Sequence, residues 1–259
     1  MSTSMFKEFY FESMRNKNNL SYWLDKVKDS GFNLPDTIVV PLKPDLAFMI
    51  AEQDGIDEVS PLLQEYFLRS KRVRKFFSSY NKIFVKTEIS CNKSDFKECI
   101  CTDINKLGGL FYKTATFGLK QYNIIPTALV LRQYIEPDVN LGTVRNGQAL
   151  TSEFRVFYNF TDKRLINIFD YWEVRNPRSY MYSSLKEIQE YTQVRPILDI
   201  RFTSLLPYLL KDTIPALVKT NLSGIWSLDF MYNNERFYLI DMALGQNSYY
   251  FDHAYARVL

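Results

Sequence analysis

The chain has 259 residues, 46% of them hydrophobic and 24% charged, with a net charge of +3. That length can bury a sizeable core as one large domain or two small ones, and the composition excludes a disordered or fibrous chain. So small a charge excess does not by itself argue for nucleic acid, and 3 Cys with 1 His leave no tetrahedral zinc spacing. Cys91, Cys99 and Cys101 are an odd set without pairing logic, which suits a reducing compartment. Met1 to Arg15 lacks an apolar signal core, and no run approaches the roughly 18 apolar residues of a membrane span. A soluble, cytoplasmic protein is expected.

Apolar residues at helical spacing predict two helices within residues 4–29, interrupted at Asn16-Lys17-Asn18-Asn19 and closed by Gly31 and Pro35. Thr37 to Val40 predicts a short strand ended by Pro41 and Pro44, and Asp45 a cap for a helix to about Ala51. Ser60-Pro61 predicts the start of another helix, running through Leu63 and Phe67 towards Phe77. On that reading Lys71-Arg72-Val73-Arg74-Lys75 ends the helix, where cations complement the negative end of its dipole; a polyanion patch is the alternative.

From Lys82 the texture turns to strands. Lys82 to Thr87 is one, and Thr127 to Ile135 is a nearly continuous apolar run of the kind that fills a sheet centre. Between them residues 95–107 read as helical, with Gly108-Gly109 as the stop. Glu153 to Tyr158 and Leu165 to Phe169 continue the sheet, Asn176-Pro177-Arg178-Ser179 is a loop, and two helices are expected over residues 183–192 and 196–210. The fold class is α+β with an α-rich N-terminal third.

The C-terminal part holds two strand-like runs, Gly224 to Tyr232 and Arg236 to Met242, each carrying one acid. In the first, Trp226, Leu228, Phe230 and Tyr232 share one face, so Asp229 points away from the apolar side. Whether Asp241 joins it depends on the turn. A two-residue Asn233-Asn234 turn pairs Asp229 with Tyr238 and puts Asp241 on the opposite face. A three-residue Asn233-Asn234-Glu235 loop pairs Asp229 with Leu239 and brings Asp241 diagonally onto the same face, roughly 7–8 Å away. Two carboxylates so placed can hold Mg²⁺.

Lys86, Arg132, Glu153, Arg155, Asp229 and Asp241 all interrupt runs that otherwise read as buried. Burying unpaired charge is costly, so these groups are expected to face one another or a charged ligand. Cations on phosphate oxygens and carboxylates on Mg²⁺ are what a metal–triphosphate site requires. Both glycine-rich phosphate-loop patterns are absent, so such a site has to be built from side chains.

Lys86, then Leu129 to Ile135, Glu153 to Phe157, Leu228-Asp229-Phe230 and Leu239-Ile240-Asp241-Met242 form a series that resembles the ATP-grasp superfamily. Within it the series is most similar to the cell-division-cycle branch, whose eukaryotic members act as assembly chaperones for a translation initiation factor. Trp23 to Asp54 and Ile83 to Asp95 resemble that branch as well. The resemblance implies an ATP-grasp fold, two α+β subdomains clasping a nucleotide: an N-terminal region 1–80, a lysine-strand subdomain 81–131 and a metal-site subdomain 132–259. It implies that Lys86 and Lys93 contact phosphates and that Leu129, Val130, Leu131, Arg132 and Tyr134 form the adenine hinge. Glu153 and Arg155 would lie under the triphosphate, and Asp229 and Asp241 would bind Mg²⁺. Lys86 and Arg155 would neutralise charge in any phosphoryl transfer, which needs no catalytic His, and His253 is read as incidental. The branch commonly carries an Asn two residues after its last metal acid; here that position is Ala243, with Gln246 and Asn247 beyond as substitutes.

The function so implied is an ATP–Mg²⁺ binding protein that recognises or assembles a protein or peptide partner. The alternative is an ATP-dependent carboxylate–amine ligase working through an acylphosphate, and an RNA-binding protein ranks last. No membrane partner is expected.

Overall fold

A computed structural model describes residues 3–52, 54–173 and 181–252. The expected loop Asn176 to Ser179 and His253 lie outside the described residues. The helices are α1 (Thr3–Met14), α2 (Leu20–Val27), α3 (Pro44–Ala51), α4 (Ile56–Arg69), α5 (Lys71–Ser79), α6 (Leu107–Tyr122) and α7 (Leu185–Lys219). The strands are β1 (Thr37–Pro41), β2 (Ile83–Thr87), β3 (Ile100–Cys101), β4 (Ala128–Gln133), β5 (Thr143–Val144), β6 (Gln148–Ala149), β7 (Ser152–Asn159), β8 (Arg164–Asp170), β9 (Ile225–Asn233) and β10 (Arg236–Leu244). None of the described helices is long and apolar enough to cross a membrane. The chain forms two compact units, Met1–Asn19 with Asp36–Tyr134, and Leu20–Pro35 with Ile135–Leu259.

The first unit is built on an antiparallel sheet of order β1-β4-β2-β3. Leu129 and Leu131 of β4 and Ile83 and Val85 of β2 bury their side chains against Leu63, Phe67, Leu107 and Phe111 of α4 and α6. Period-two alternation then sends Lys86, Val130 and Arg132 to the other face. The apolar run expected at a sheet centre is β4, paired on both sides.

Several helix boundaries differ from the expectation. Pro61 does not open α4 but sits inside it, after Gly55 and the acids Asp57 and Glu58 of the first turn. Ser70 is extended and breaks the expected continuous helix: its hydroxyl accepts the Val73 N–H and caps α5. Lys71 and Arg72 therefore stand at the positive end of α5, the reverse of the placement expected. Arg74 alone reaches back, donating to the Leu68 carbonyl in the last turn of α4.

Gly108-Gly109, expected as a helix stop, lies near the start of α6, and residues 95–107 form two 3₁₀ turns around the short β3. The reason is contact with α4: a Cβ on Gly108 would come 2.4 Å from the Ser60 carbonyl oxygen and 2.7 Å from the Gln64 nitrogen. Gln64 also accepts the Gly108 N–H at 2.7 Å and donates to the Ile104 carbonyl at 2.8 Å. Absence of a side chain, not chain reversal, is what the glycine supplies.

The second unit carries the antiparallel sheet β10-β9-β7-β8. One face is apolar: Phe154 stacks on Phe202 of α7, Phe230 meets Phe32, and Trp226 stacks on Tyr22 of α2. The two helices expected over 183–210 are one helix, α7, opened by a capping box in which Ser184 and Glu187 satisfy each other's backbone N–H groups. Glu187 also accepts the N–H groups of Asn146 and Gly147 and the Thr143 hydroxyl. Burial opposes its charge, yet those donors hold it below its ordinary pKa.

Candidate functional site

On the second unit's sheet, the face opposite the aromatic one is set by register. Arg155 of β7 lies across from Asp229 of β9, and Asp229 lies across from Asp241 of β10. Three charged side chains therefore stand in a row over three strands. Directly opposed residues of an antiparallel pair have Cβ atoms about 4.5–5.5 Å apart, so the two carboxylates are closer than the diagonal placement expected.

The turn that achieves this is neither of those anticipated. Asn233 pairs with Arg236, leaving Asn234-Glu235 as a two-residue turn with φ of 45° and 64°. Positive φ at both central positions is the type I′ geometry whose twist matches a hairpin. By itself this turn would pair Asp229 with Ile240. A bulge between Leu239 and Asp241 takes up Ile240 and brings Asp241 opposite Asp229. The bulge falls where an outside support ends: Asn33 holds the outer edge of β10, its carbonyl accepting the Leu239 N–H at 2.9 Å.

Arg155 grips Asp229 side-on, Nε to Oδ1 at 2.8 Å and a terminal nitrogen to Oδ2 at 2.7 Å. Its guanidinium lies 4.9 Å from the Tyr171 ring centroid. Burial works against the Arg155 charge, but Asp229 foremost, then Tyr171 and Asp241, hold its pKa above the ordinary value. Glu153, two residues earlier on the same face, is buried and accepts the Thr151 hydroxyl at 2.7 Å. Burial first, and then the Asp229 charge, push its carboxyl up to about 8, against the opposing pull of Thr151, Arg145 and Arg155. The face thus holds more acid than cation.

That surplus is the test of whether Mg²⁺ suits these residues, and they fit it. Like charges directly opposite on neighbouring strands destabilise a sheet, and a cation between them removes the cost. Each carboxylate oxygen engaged by Arg155 keeps a second lone pair. Among the described residues no three His, Cys, Asp or Glu side chains gather closely enough to hold a metal ion alone. Asp229 and Asp241 would therefore supply two ligands and leave the rest to phosphate and water, as Mg²⁺ commonly binds. Ala243 pairs with Ser227, whose hydroxyl bonds that of Ser248. Gln246 and Asn247 sit in a 3₁₀ turn just beyond β10, both exposed.

In the first unit Lys86 is 4% exposed on β2 opposite Val130, and Arg132, also 4% exposed, donates Nε–H to Thr37 of β1 at 3.1 Å. The two cations share one sheet face. The backbone of Leu129 to Arg132 is committed to ladders on both sides, and the Tyr134 N–H bonds the Lys82 carbonyl at 3.4 Å. Lys93 lies in a half-buried loop, its N–H bonded to the Cys91 carbonyl at 3.0 Å. Sequence reasoning missed Thr151, Arg145 and Tyr171. Thr151 was accessible to it, since it precedes Glu153 by two residues and so shares its face; Arg145 and Tyr171 reach the site only through the fold.

The chain has the α+β ATP-grasp fold. Its solved structural neighbours include Cdc123 from Schizosaccharomyces pombe, with TM-score 0.53 and 16% identity over 88% of this chain and 83% of that one. C-terminally truncated Cdc123 from the same organism matches with TM-score 0.52 at the same identity and coverage. A D-alanine–D-alanine ligase from Bacillus anthracis complexed with ATP matches with TM-score 0.44 and 11% identity, over 95% of this chain and 62% of that one. No family model matches the chain, and no curated protein matches it.

Proposed function

We propose that this protein binds ATP with Mg²⁺ in the cytoplasm and uses the bound nucleotide to recognise or assemble a protein partner, in the manner of a translation-factor assembly chaperone. The observation that carries the nucleotide reading is the Arg155–Asp229–Asp241 row, an acid pair placed in direct opposition by a bulge and relieved by one guanidinium. Asp229 and Asp241 hold Mg²⁺, whose chemistry is to neutralise phosphate charge. Lys86, Lys93 and Arg155 meet phosphate oxygens, Glu153 lies beneath them, and the segment from Leu129 through Arg132 to Tyr134 receives adenine. Because the β4 backbone is spent on its neighbours, adenine packs on side chains of that segment, and its edge is read from Tyr134 onward. The likeness to the cell-division-cycle branch and the fold shared with Cdc123 support the partner-assembly reading. Ala243 departs from that branch, but by removing a metal ligand it favours nucleotide binding over turnover.

A second reading, an ATP-dependent carboxylate–amine ligase, is favoured by Lys86, buried on β2, and Arg155, partly buried on β7, as the charge-neutralising cations of phosphoryl transfer. Thermal unfolding tests the shared premise. ATP with Mg²⁺ raises the melting temperature, by the equivalent of about 2.7 kcal/mol at a hundredfold excess over Kd, and Asp241→Asn abolishes the rise. An unshifted wild-type protein removes the nucleotide reading. ADP release that depends on an added carboxylate selects the ligase.

A further inference from the structure

The segment after the lysine strand is tied down at every turn. The Thr87 hydroxyl accepts the Ser90 N–H at 3.0 Å, and the Thr87 N–H bonds the Ser90 carbonyl at 2.9 Å. Ser90 itself rests on α6, where a Cβ on Gly118 would come 2.4 Å from its hydroxyl oxygen. Asn92 then organises the next turn: its Oδ1 accepts the Ser94 N–H at 3.2 Å and hydroxyl at 2.6 Å, and its Nδ2 donates to Glu98 at 3.1 Å. Glu98 is anchored in turn by Lys113 of α6. Lys93 is carried at the middle of this segment.

Cys91 and Cys99 flank Lys93, and the fold returns the Cys99 thiol to within 3.4 Å of the carbonyl of Asn92, the residue next to Cys91; burial first, and then Cys91 beside it, push the Cys99 thiol pKa up. The thiols are unlike in access. Cys91 is half-buried, whereas Cys99 is 0% exposed and donates to the Asn92 carbonyl at 3.4 Å. Cys101 is turned away and donates to the Asp103 carbonyl at 3.1 Å. Spacing had given no pairing for three cysteines, and all three are free; the fold brings Cys99 back beside the Cys91–Asn92 peptide.

We propose that Cys91 and Cys99 form a reversible disulfide that clamps the Lys93 loop and weakens nucleotide binding, the second part resting on the nucleotide reading above. The oxidant is a hydroperoxide such as hydrogen peroxide. The accessible Cys91 sulfur, as thiolate, attacks one peroxide oxygen, so that an S–O bond forms, the O–O bond breaks, and the departing hydroxide takes a proton to leave as water. Cys99 loses its proton and its sulfur attacks the sulfenic sulfur of Cys91, forming the S–S bond while the S–O bond breaks and a second water leaves. Two thiols thus give two electrons and two protons to one peroxide, which becomes two waters; a dithiol reverses the step. Forming a bond of about 2.05 Å draws the ends of the loop together and removes the hydrogen that Cys99 gives to Asn92. Asn92 is the residue that shapes the turn at Lys93.

The test uses the full chain treated with hydrogen peroxide, alkylated and digested with trypsin without reduction. Cleavage after Lys93 and Lys97 puts Cys91 and Cys99 on separate peptides. Expected is a joined pair of peptides that dithiothreitol separates, that persists in Cys101→Ser and that is lost in Cys91→Ser. Cys99 recovered alkylated throughout, or Cys91 joined to Cys101, overturns the disulfide. The second measurement is the rise in melting temperature with ATP and Mg²⁺: it is lost on oxidation, returns with dithiothreitol, and is unaffected by peroxide in Cys91→Ser. An unchanged rise in the oxidised protein overturns the clamp. If the reduced protein shows no rise, the nucleotide reading fails, and with it the clamp's effect on binding, while the peptide map still decides the disulfide.

Discussion

Two arginines in the second unit, Arg195 buried and Arg155 partly buried, each face two aspartates, and they are not doing the same thing. Arg195 of α7 bonds Asp170 at the end of β8, Asp199 one turn along its own helix, and the Trp172 carbonyl. Tyr191 donates to the same carbonyl, and Asp170 also accepts the Trp172 N–H at 2.9 Å. Burial raises the Asp170 pKa, with Arg195 opposing it. Asp199 is largely exposed, so only one of these acids is buried beside the cation. Around Arg155 the acids instead meet each other in cross-strand register, with Glu153 nearby, and the guanidinium spends both its side-on bonds on Asp229. The first cluster is a pin closing the end of α7 onto the sheet edge. The second, on the nucleotide reading, is arranged for a cation drawn from solution.

That contrast can be broken by experiment, starting with the largest effect. Arg195→Leu leaves Asp170 buried without its cation and lowers unfolding free energy by about 3–5 kcal/mol in urea titration, a loss that Mg²⁺ with ATP does not selectively repair. Arg155→Met strips Asp229 in the same way, but part of its loss, about 1–3 kcal/mol, returns on adding Mg²⁺, because the freed acid pair gains a metal in place of the guanidinium. Equal behaviour of the two variants towards Mg²⁺ would make both clusters structural.

Glu153 sharpens the comparison through pH. Its carboxyl moves from an ordinary 4.5 up to about 8, so between those values the unfolded chain has released a proton that the folded chain keeps. Stability from this group is complete below pH 4.5 and falls as pH rises towards 8. Glu153→Gln flattens that decline by roughly 1 kcal/mol per pH unit within the window, read from urea midpoints at several pH values. The smallest effect is on the unliganded protein: Asp241→Asn relieves the facing charges and raises stability by about 0.5 kcal/mol while removing the response to ATP and Mg²⁺.

Much of this was legible in the residues. The alternation of Trp226, Leu228, Phe230 and Tyr232 determined which face of β9 is apolar and hence where Asp229 points, because a strand offers only two faces. Lys86 and Arg132 were legible as cations inside apolar runs, and both are buried on one sheet face. The α+β class followed from the same patterns. What failed were boundaries set by contacts distant in sequence. Gly108 looks like punctuation until Ser60 is found against it, and Ser183 to Leu210 looks like two helices until β5, β7 and β10 are found packed along one.

The hairpin shows the division most plainly. Sequence by itself determined that Asp229 and Asp241 lie on neighbouring strands joined by a tight Asn-containing turn. Only the tertiary structure decided that they oppose each other, because the bulge at Ile240 comes just after the point where Asn33, far away in the chain, stops holding the edge of β10. The return of Cys99 to the Asn92 carbonyl, beside Cys91, belongs to the same category. A side-chain period of two determines faces locally, whereas register and proximity are set by whatever packs against the strand or loop from elsewhere.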